Sequence, residues 1–215
     1  MNTISHNELV ILCLLFFGLV TGSSAQNTNE QNVLNERVEQ FLKENRQKWA
    51  DLNVPYEDGQ ILHDLIVKNN YQSALEIGTS TGHSTIWIAW ALSKTGGKLT
   101  TIEIDKKRQK QAIDNLEALG LSDLVDFKLG DAHQLVKEVE GPLDFVFSDA
   151  DKNWYVQYFK DIDPKLEEGG VFTAHNVLQN MSGISEYLDF TKNHPDYETT
   201  VDRSSSSGIA ISFKK

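Results

Sequence analysis

The chain has 215 residues, 40% of them hydrophobic and 24% charged, with 14 glycines and 4 prolines, which excludes a collagen-like, low-complexity or disordered polypeptide. Only one long apolar run occurs, so a polytopic membrane protein is excluded as well. Lys and Arg number 20 against 31 Asp and Glu, a formal charge of −11; with no segregated basic patch such a chain is repelled by phosphate backbones, and nucleic acid is not an expected partner.

Residues Leu9 to Val20 read LVILCLLFFGLV. A helix needs about 20 apolar residues to cross a bilayer, so this run is short for an anchor. Small residues follow at Ser23 and Ala25, as the small-x-small cleavage rule requires. The run is read as a signal peptide over residues 1–25, cleaved after Ala25, which predicts an exported protein with no stable membrane span. The alternative is an uncleaved anchor over residues 9–20, because no Lys or Arg precedes the apolar run. The single cysteine, Cys13, lies in this leader. The mature chain is therefore expected to lack disulfides, thiolate metal sites and cysteine nucleophiles.

Residues 26–32 are polar and read as a tether. Leu34, Val38, Phe41, Leu42 and Trp49 recur at helical spacing and predict a helix over Val33–Trp49 with one apolar face. That face suits a homodimer contact or a cover for a binding pocket. A second helix is predicted over Asp58–Lys68, on Ile61, Leu62, Leu65 and Ile66. These N-terminal helices, within 33–69, open a single domain spanning 33–215.

From Ser73 onward short apolar runs alternate with helical segments. The runs are Ala74–Ile77, Leu99–Ile104, Leu124–Leu129, Leu143–Phe147 and Gly170–Ala174; the helices are Ser84–Ser93, Lys106–Leu119, Ala132–Val139 and Trp154–Ile162. Strands separated by such helices imply right-handed crossovers and a parallel sheet covered on both faces. A helix over Gly183–Lys192 precedes two more strands, Tyr197–Val201 and Ile209–Phe213, joined only by Asp202–Gly208. They are expected to pair as an antiparallel hairpin at the sheet edge. The predicted fold class is α/β, with seven strands, mostly parallel, the last one reversed, and helices on both faces.

Ligands of an open parallel sheet bind beyond the carboxyl ends of its strands. Here five strands in a row run into polar groups: Glu76-Ile77-Gly78-Thr79-Ser80-Thr81-Gly82-His83-Ser84, then Glu103-Ile104-Asp105, Gly130-Asp131-Ala132, Asp149-Ala150-Asp151-Lys152, and His175-Asn176. Gly78 and Gly82 fit neither the dinucleotide spacing nor the triphosphate loop, and no Lys follows them. The wrong spacing argues against a dehydrogenase. Glu76 beside this loop would repel pyrophosphate and welcome a cation. An acid at Glu103 suits the two hydroxyls of a ribose, and Asp131 suits an adenine amino group. A nucleoside carrying a cation and no phosphate describes S-adenosylmethionine.

At these residues the chain resembles the cation-dependent O-methyltransferases of the caffeoyl-CoA and catechol type. The resemblance covers about Val54 to Phe213. It rests on Glu57-Asp58-Gly59-Gln60, on Leu75-Glu76-Ile77-Gly78 ending in Thr81-Gly82-His83-Ser84, on Asp149-Ala150-Asp151-Lys152 with Tyr155, and on Gly169-Gly170 leading to His175-Asn176-Val177. It implies a Rossmann-like class I methyltransferase fold and transfer of a methyl group to a hydroxyl of a small phenolic acceptor. Glu76, Gly78 and Ser84 would hold the methionine part of the cofactor, with Asp149 beside them, Glu103 the ribose, and Asp131 with Ala132 the adenine. Asp149 and Asn176 would bind a divalent cation, and Lys152 would serve as base or orienting group. Where the family has Asp before the Asn, this chain has His175. Either Asp149, His175 and Asn176 hold a softer cation, or metal binding is lost. The segment after Asn176 is shorter than in relatives that take coenzyme A esters, which favours a free phenol. Two further readings stay open: a cofactor-binding protein without catalysis, and a metal-independent methyltransferase acting on another small nucleophile. Asp151 is read as a helix cap, Trp87 and Trp90 as core, and Ser204–Ser207 as a flexible loop without function, the alternative being a border of the acceptor pocket.

Overall fold

The computed structural model describes residues 28–49 and 52–215. The leader read over residues 1–25, the apolar run and Cys13 lie outside the described residues. Among the described residues, no helix is long and apolar enough to cross a membrane.

The described chain forms two compact units, divided between residues 43 and 44. The first holds nearly all of helix α1, residues 28–44. The helix thus begins inside the segment read as a polar tether and stops short of Trp49. Its early turns are polar, so apolar spacing alone could not find them.

The second unit runs in the order α2 (Tyr56–Asn69), β1 (Ser73–Ile77), α3 (His83–Thr95), β2 (Lys98–Glu103), α4 (Lys106–Leu119), β3 (Val125–Leu129), α5 (Ala132–Glu138), β4 (Leu143–Ser148), α6 (Tyr155–Ile162), β5 (Leu166–His175), α7 (Ile184–Lys192), β6 (Tyr197–Asp202) and β7 (Ile209–Lys214). The seven strands lie in the order β3-β2-β1-β4-β5-β7-β6. β1 pairs in parallel with both β2 and β4, and β4 with β5. β7 is antiparallel to both β5 and β6. The expected hairpin is present, but its second strand inserts next to β5 and leaves β6 at the edge.

Side chains alternate between two cores, as the pleat requires. Leu75 and Ile77 of β1, with Val146 and Phe172, pack against Tyr155, Phe159 and Tyr187 of α6 and α7. Ala74 and the β4 residues Phe145 and Phe147 pack against Leu62, Ile66, Ile88 and Leu92 of α2 and α3. Full burial of one such side chain contributes about 1.5–3 kcal/mol. Trp87 and Trp90 are buried as expected. Gly59 of α2 admits Trp87: a Cβ there would fall 2.2 Å from the indole.

The strand order changes direction between β1 and β4. Crevices form at such a switch point, beyond the carboxyl ends. The Asp149 amide donates to the Ile77 carbonyl at 2.9 Å and holds the two strand ends together.

Candidate functional site

A cavity of about 890 Å³ opens over these strand ends. Gly78, Glu103, Asp131, Ala132, Asp149, Lys152, His175 and Asn176 all line it. The fold thus gathers eight of the ten predicted site residues into one hollow. Glu76 and Ser84 do not line it.

Glu76 is fully buried and faces α3, beneath the glycine loop. Its carboxylate accepts from Ser84 Oγ at 2.5 Å and from Thr85 Oγ1 and Thr101 Oγ1 at 2.6 Å. All three partners belong to the protein, and they brace Glu76 under the loop. Burial pushes the Glu76 carboxyl up to about 7 against the pull of the three hydroxyls, and the charge of Asp149 adds to the rise. A raised folded-state value means stability is fully present below the ordinary carboxyl range and is lost as pH rises through about 7. Over that window the loss is roughly 3 kcal/mol. Glu76→Gln keeps the shape and cannot ionise. Its stability advantage over the parent is expected to grow between pH 5 and pH 8 in urea denaturation; an unchanged difference would show that Glu76 stays ionised throughout.

The loop above this brace is held tightly. Gly78 and Thr79 donate their amides to the Ile102 carbonyl, and Asn115 Nδ2 donates to the Thr81 carbonyl at 2.9 Å. Gly78 has φ of +104°, and a Cβ there would lie 3.2 Å from the Ala150 amide nitrogen, so both backbone freedom and a close approach require glycine. Glu103, at the end of β2, accepts the Ser80 amide at 2.7 Å on one oxygen and the amides of Ile104 and Asp105 at 3.0 and 2.8 Å on the other. Three backbone donors fix this carboxylate at the cavity wall. Asp131 caps α5 by accepting the His133 amide at 2.9 Å, and its half-exposed carboxylate also borders the hollow. Asp151 accepts the Asn153 amide, the capping role expected of it.

Four charged residues meet at the floor. Lys152 Nζ donates to Asp149 Oδ1 at 2.6 Å and to the Asp149 carbonyl at 2.8 Å. His175 Nδ1 lies 3.2 Å from Asp149 Oδ2, and its Nε2 lies 2.7 Å from Asp58 Oδ2. Burial by itself would lower the His175 imidazole, yet hydrogen bonds and charge from Asp149 and Asp58 raise it to about 9. Burial by itself would raise Asp149, yet His175 and Lys152 hold its carboxyl below the ordinary aspartate range. Tyr155 supports the strand end by donating to the His175 carbonyl at 3.2 Å.

This geometry bears on the predicted metal set of Asp149, His175 and Asn176. A histidine ligand must offer a nitrogen lone pair, and both nitrogens of His175 are turned to carboxylates. Each Asp149 oxygen already accepts from a cationic side chain. Asn176, in the left-handed conformation at φ of 60°, keeps Asp149, whose oxygens retain a lone pair each, but has no co-ligand in His175. Among the described residues no three His, Cys, Asp or Glu are grouped to hold a metal ion. The residues present do not fit a divalent cation.

Two participants were not expected from the sequence. Asp58 carried no role, although its segment Glu57-Asp58-Gly59-Gln60 was part of the resemblance. Ser205, in the serine run, donates to Asp58 Oδ2 at 2.8 Å. Ile104, 70% exposed, and Leu52, 68% exposed, add apolar wall to a hollow otherwise rich in acids.

A family model described as O-methyltransferase matches residues 22–194. The chain is 36% identical over 139 residues to a catechol O-methyltransferase of Niastella koreensis, covering 63% of this chain and 62% of that protein. It is 30% identical over 143 residues to caffeoyl-CoA O-methyltransferase 1 of Arabidopsis thaliana, covering 64% of this chain and 55% of the other. The chain thus spans less than two thirds of the curated relatives it matches. Among solved structures, an O-methyltransferase from Bacillus cereus in complex with SAH superposes with a TM-score of 0.73 at 27% identity, covering 84% of this chain and 91% of that one.

Proposed function

The chain belongs to the O-methyltransferase family, and we propose that it transfers a methyl group from S-adenosylmethionine to a hydroxyl of a small phenolic acceptor. The observation that carries this reading is the meeting, in one cavity, of the amide-held Glu103 carboxylate and the Asp149–Lys152 pair. Glu103, whose Oε2 accepts a single amide, can accept a ribose hydroxyl there, Gly78 lines the cavity with no side chain to obstruct a methionyl chain, and Ile104 offers an apolar face beside Asp131 for a base. These features fit a nucleoside that carries a positive charge and no phosphate. The curated relatives named for catechol and caffeoyl-CoA transfer support a phenolic acceptor.

When bound, this cofactor supplies a sulfonium methyl that passes to the acceptor oxygen as the carbon–sulfur bond breaks and leaves its electron pair on sulfur. The protein must align that oxygen and favour its anion. An ammonium has three donors, and Lys152 directs two at Asp149. The third is available to the acceptor oxygen. Its positive charge favours loss of the hydroxyl proton to water in the open cavity. Lys152 thus orients and charges the acceptor.

The test is calorimetric titration with S-adenosylmethionine, followed by incubation with its methyl-labelled form and a phenol panel. Saturable binding and labelled methyl ethers are expected. Binding without any methylated product would make the protein a cofactor binder, and preference for a phosphate-bearing nucleotide would overturn the reading.

A further inference from the structure

Asp58, in the first turn of α2, is 1% exposed, and His175, at the end of β5, is 3% exposed. Between them and Asp149 runs a bridge of carboxylate, imidazole and carboxylate, with ring nitrogens 2.7 and 3.2 Å from the two acids. Ser205 fastens the far end by donating to Asp58. A neutral imidazole has one donor nitrogen and one acceptor nitrogen. Both nitrogens here face carboxylate oxygens, and a ring that donates from both, an imidazolium, satisfies both acids at once.

With Lys152 on the other oxygen of Asp149, two carboxylates meet two cations and the cluster is neutral. An aspartate at the histidine position, as in the family this chain resembles, would leave two negative charges in excess. One divalent cation neutralises that excess. With histidine there is nothing left to neutralise, and the ring keeps no lone pair to coordinate a metal.

Resting on the transfer reading above, we propose that this protein works without a divalent cation. The buried Asp58–His175–Asp149 bridge takes over the positioning of Asp149 and Lys152, and the acceptor is engaged through one hydroxyl rather than chelated through two. The acceptor oxygen bonds to the methyl carbon, the carbon–sulfur bond breaks with its pair on sulfur, and the hydroxyl proton passes to water. Asp58 and His175 are positioning residues, acting through Asp149 and Lys152.

The test uses chelator-treated wild type and His175→Asp. Each is titrated with Mn²⁺ and Mg²⁺ by calorimetry and assayed on a monophenol and a catechol. The wild type is expected to show no saturable metal uptake, to methylate both acceptors, and to keep its rate within about twofold with or without chelator. His175→Asp is expected to bind Mn²⁺ saturably and to lose about tenfold or more of its activity on chelation. Saturable Mn²⁺ binding by the wild type, a comparable loss on chelation, or turnover of catechols alone overturns the proposal. If His175→Asp does not fold, nitrogen-15 NMR of the wild-type His175 ring decides. Two protonated nitrogens, unmoved by added Zn²⁺, support the bridge, and a proton-free nitrogen that shifts with Zn²⁺ refutes it. No product from either acceptor in any condition sinks the transfer reading instead, and the calorimetric and NMR results still decide the metal question.

Discussion

Lys152→Met lowers kcat by about 10²–10⁴-fold, the range for a group that assists deprotonation or stabilises developing charge, and leaves the Kd for S-adenosylmethionine within about twofold. Methionine keeps an unbranched chain of similar length and removes only the charge and the donors. Lys152 is 12% exposed and makes two contacts with Asp149, so its loss strips one partner from a carboxylate that His175 continues to hold. Leaving that oxygen unpaired costs roughly 1–3 kcal/mol, and a thermal melt separates this penalty from the kinetic one. Lys152→Arg restores the charge with a planar head of different reach and recovers only part of the rate. Single-turnover kinetics with cofactor in excess is the measurement. An unchanged kcat, or equal losses in kcat and cofactor affinity, would remove Lys152 from the role assigned to it.

Glu103→Ala acts on the other side of the cavity and raises the Kd for S-adenosylmethionine by about 10²-fold, as expected when charge-assisted bonds worth roughly 1.5–3 kcal/mol each are lost. The carboxylate spans two loops: Ser80 belongs to the glycine loop, and Ile104 and Asp105 begin the turn into α4. Alanine therefore removes both the proposed ribose partner and the clamp that sets the cradle. Glu103→Gln distinguishes the two contributions. Its carbonyl oxygen keeps one set of amides, while its amide group meets the other set donor to donor. Its affinity is expected to fall between those of wild type and Glu103→Ala, by calorimetry. Full retention of affinity in Glu103→Ala would place the ribose elsewhere.

Most of this cavity is legible in the sequence because its wall is made of strand ends. Gly78, Glu103, Asp131, Asp149, Lys152 and His175 each follow an apolar run, and in a parallel sheet such residues collect on one edge. The place of Glu76 was not legible, for a related reason. Both faces of β1 are covered, so alternation along Ser73–Ile77 carries no signal for which face a polar side chain takes. The structure turns it onto α3, where three hydroxyls satisfy it. The start of α1 at residue 28 was missed because its first turns lack an apolar stripe. Ser205 was hidden in a run that reads only as loop, since a hydroxyl's partner is not written in its neighbours.

The amino-acid order alone determined the alternation of strands and helices, the reversal of the last strand, and the acids and glycines that end each run. These follow from periodicities of two and 3.6 residues and from short-range turn chemistry. The tertiary structure alone decided that β1 lies beside β4, that β7 separates β5 from β6, and that Asp58 reaches His175 across 117 residues. Such pairings depend on which strands become neighbours in space. The proposed choice of a bridged cation over a metal ligand at His175 likewise rests on a second carboxylate standing within hydrogen-bonding distance of the same ring.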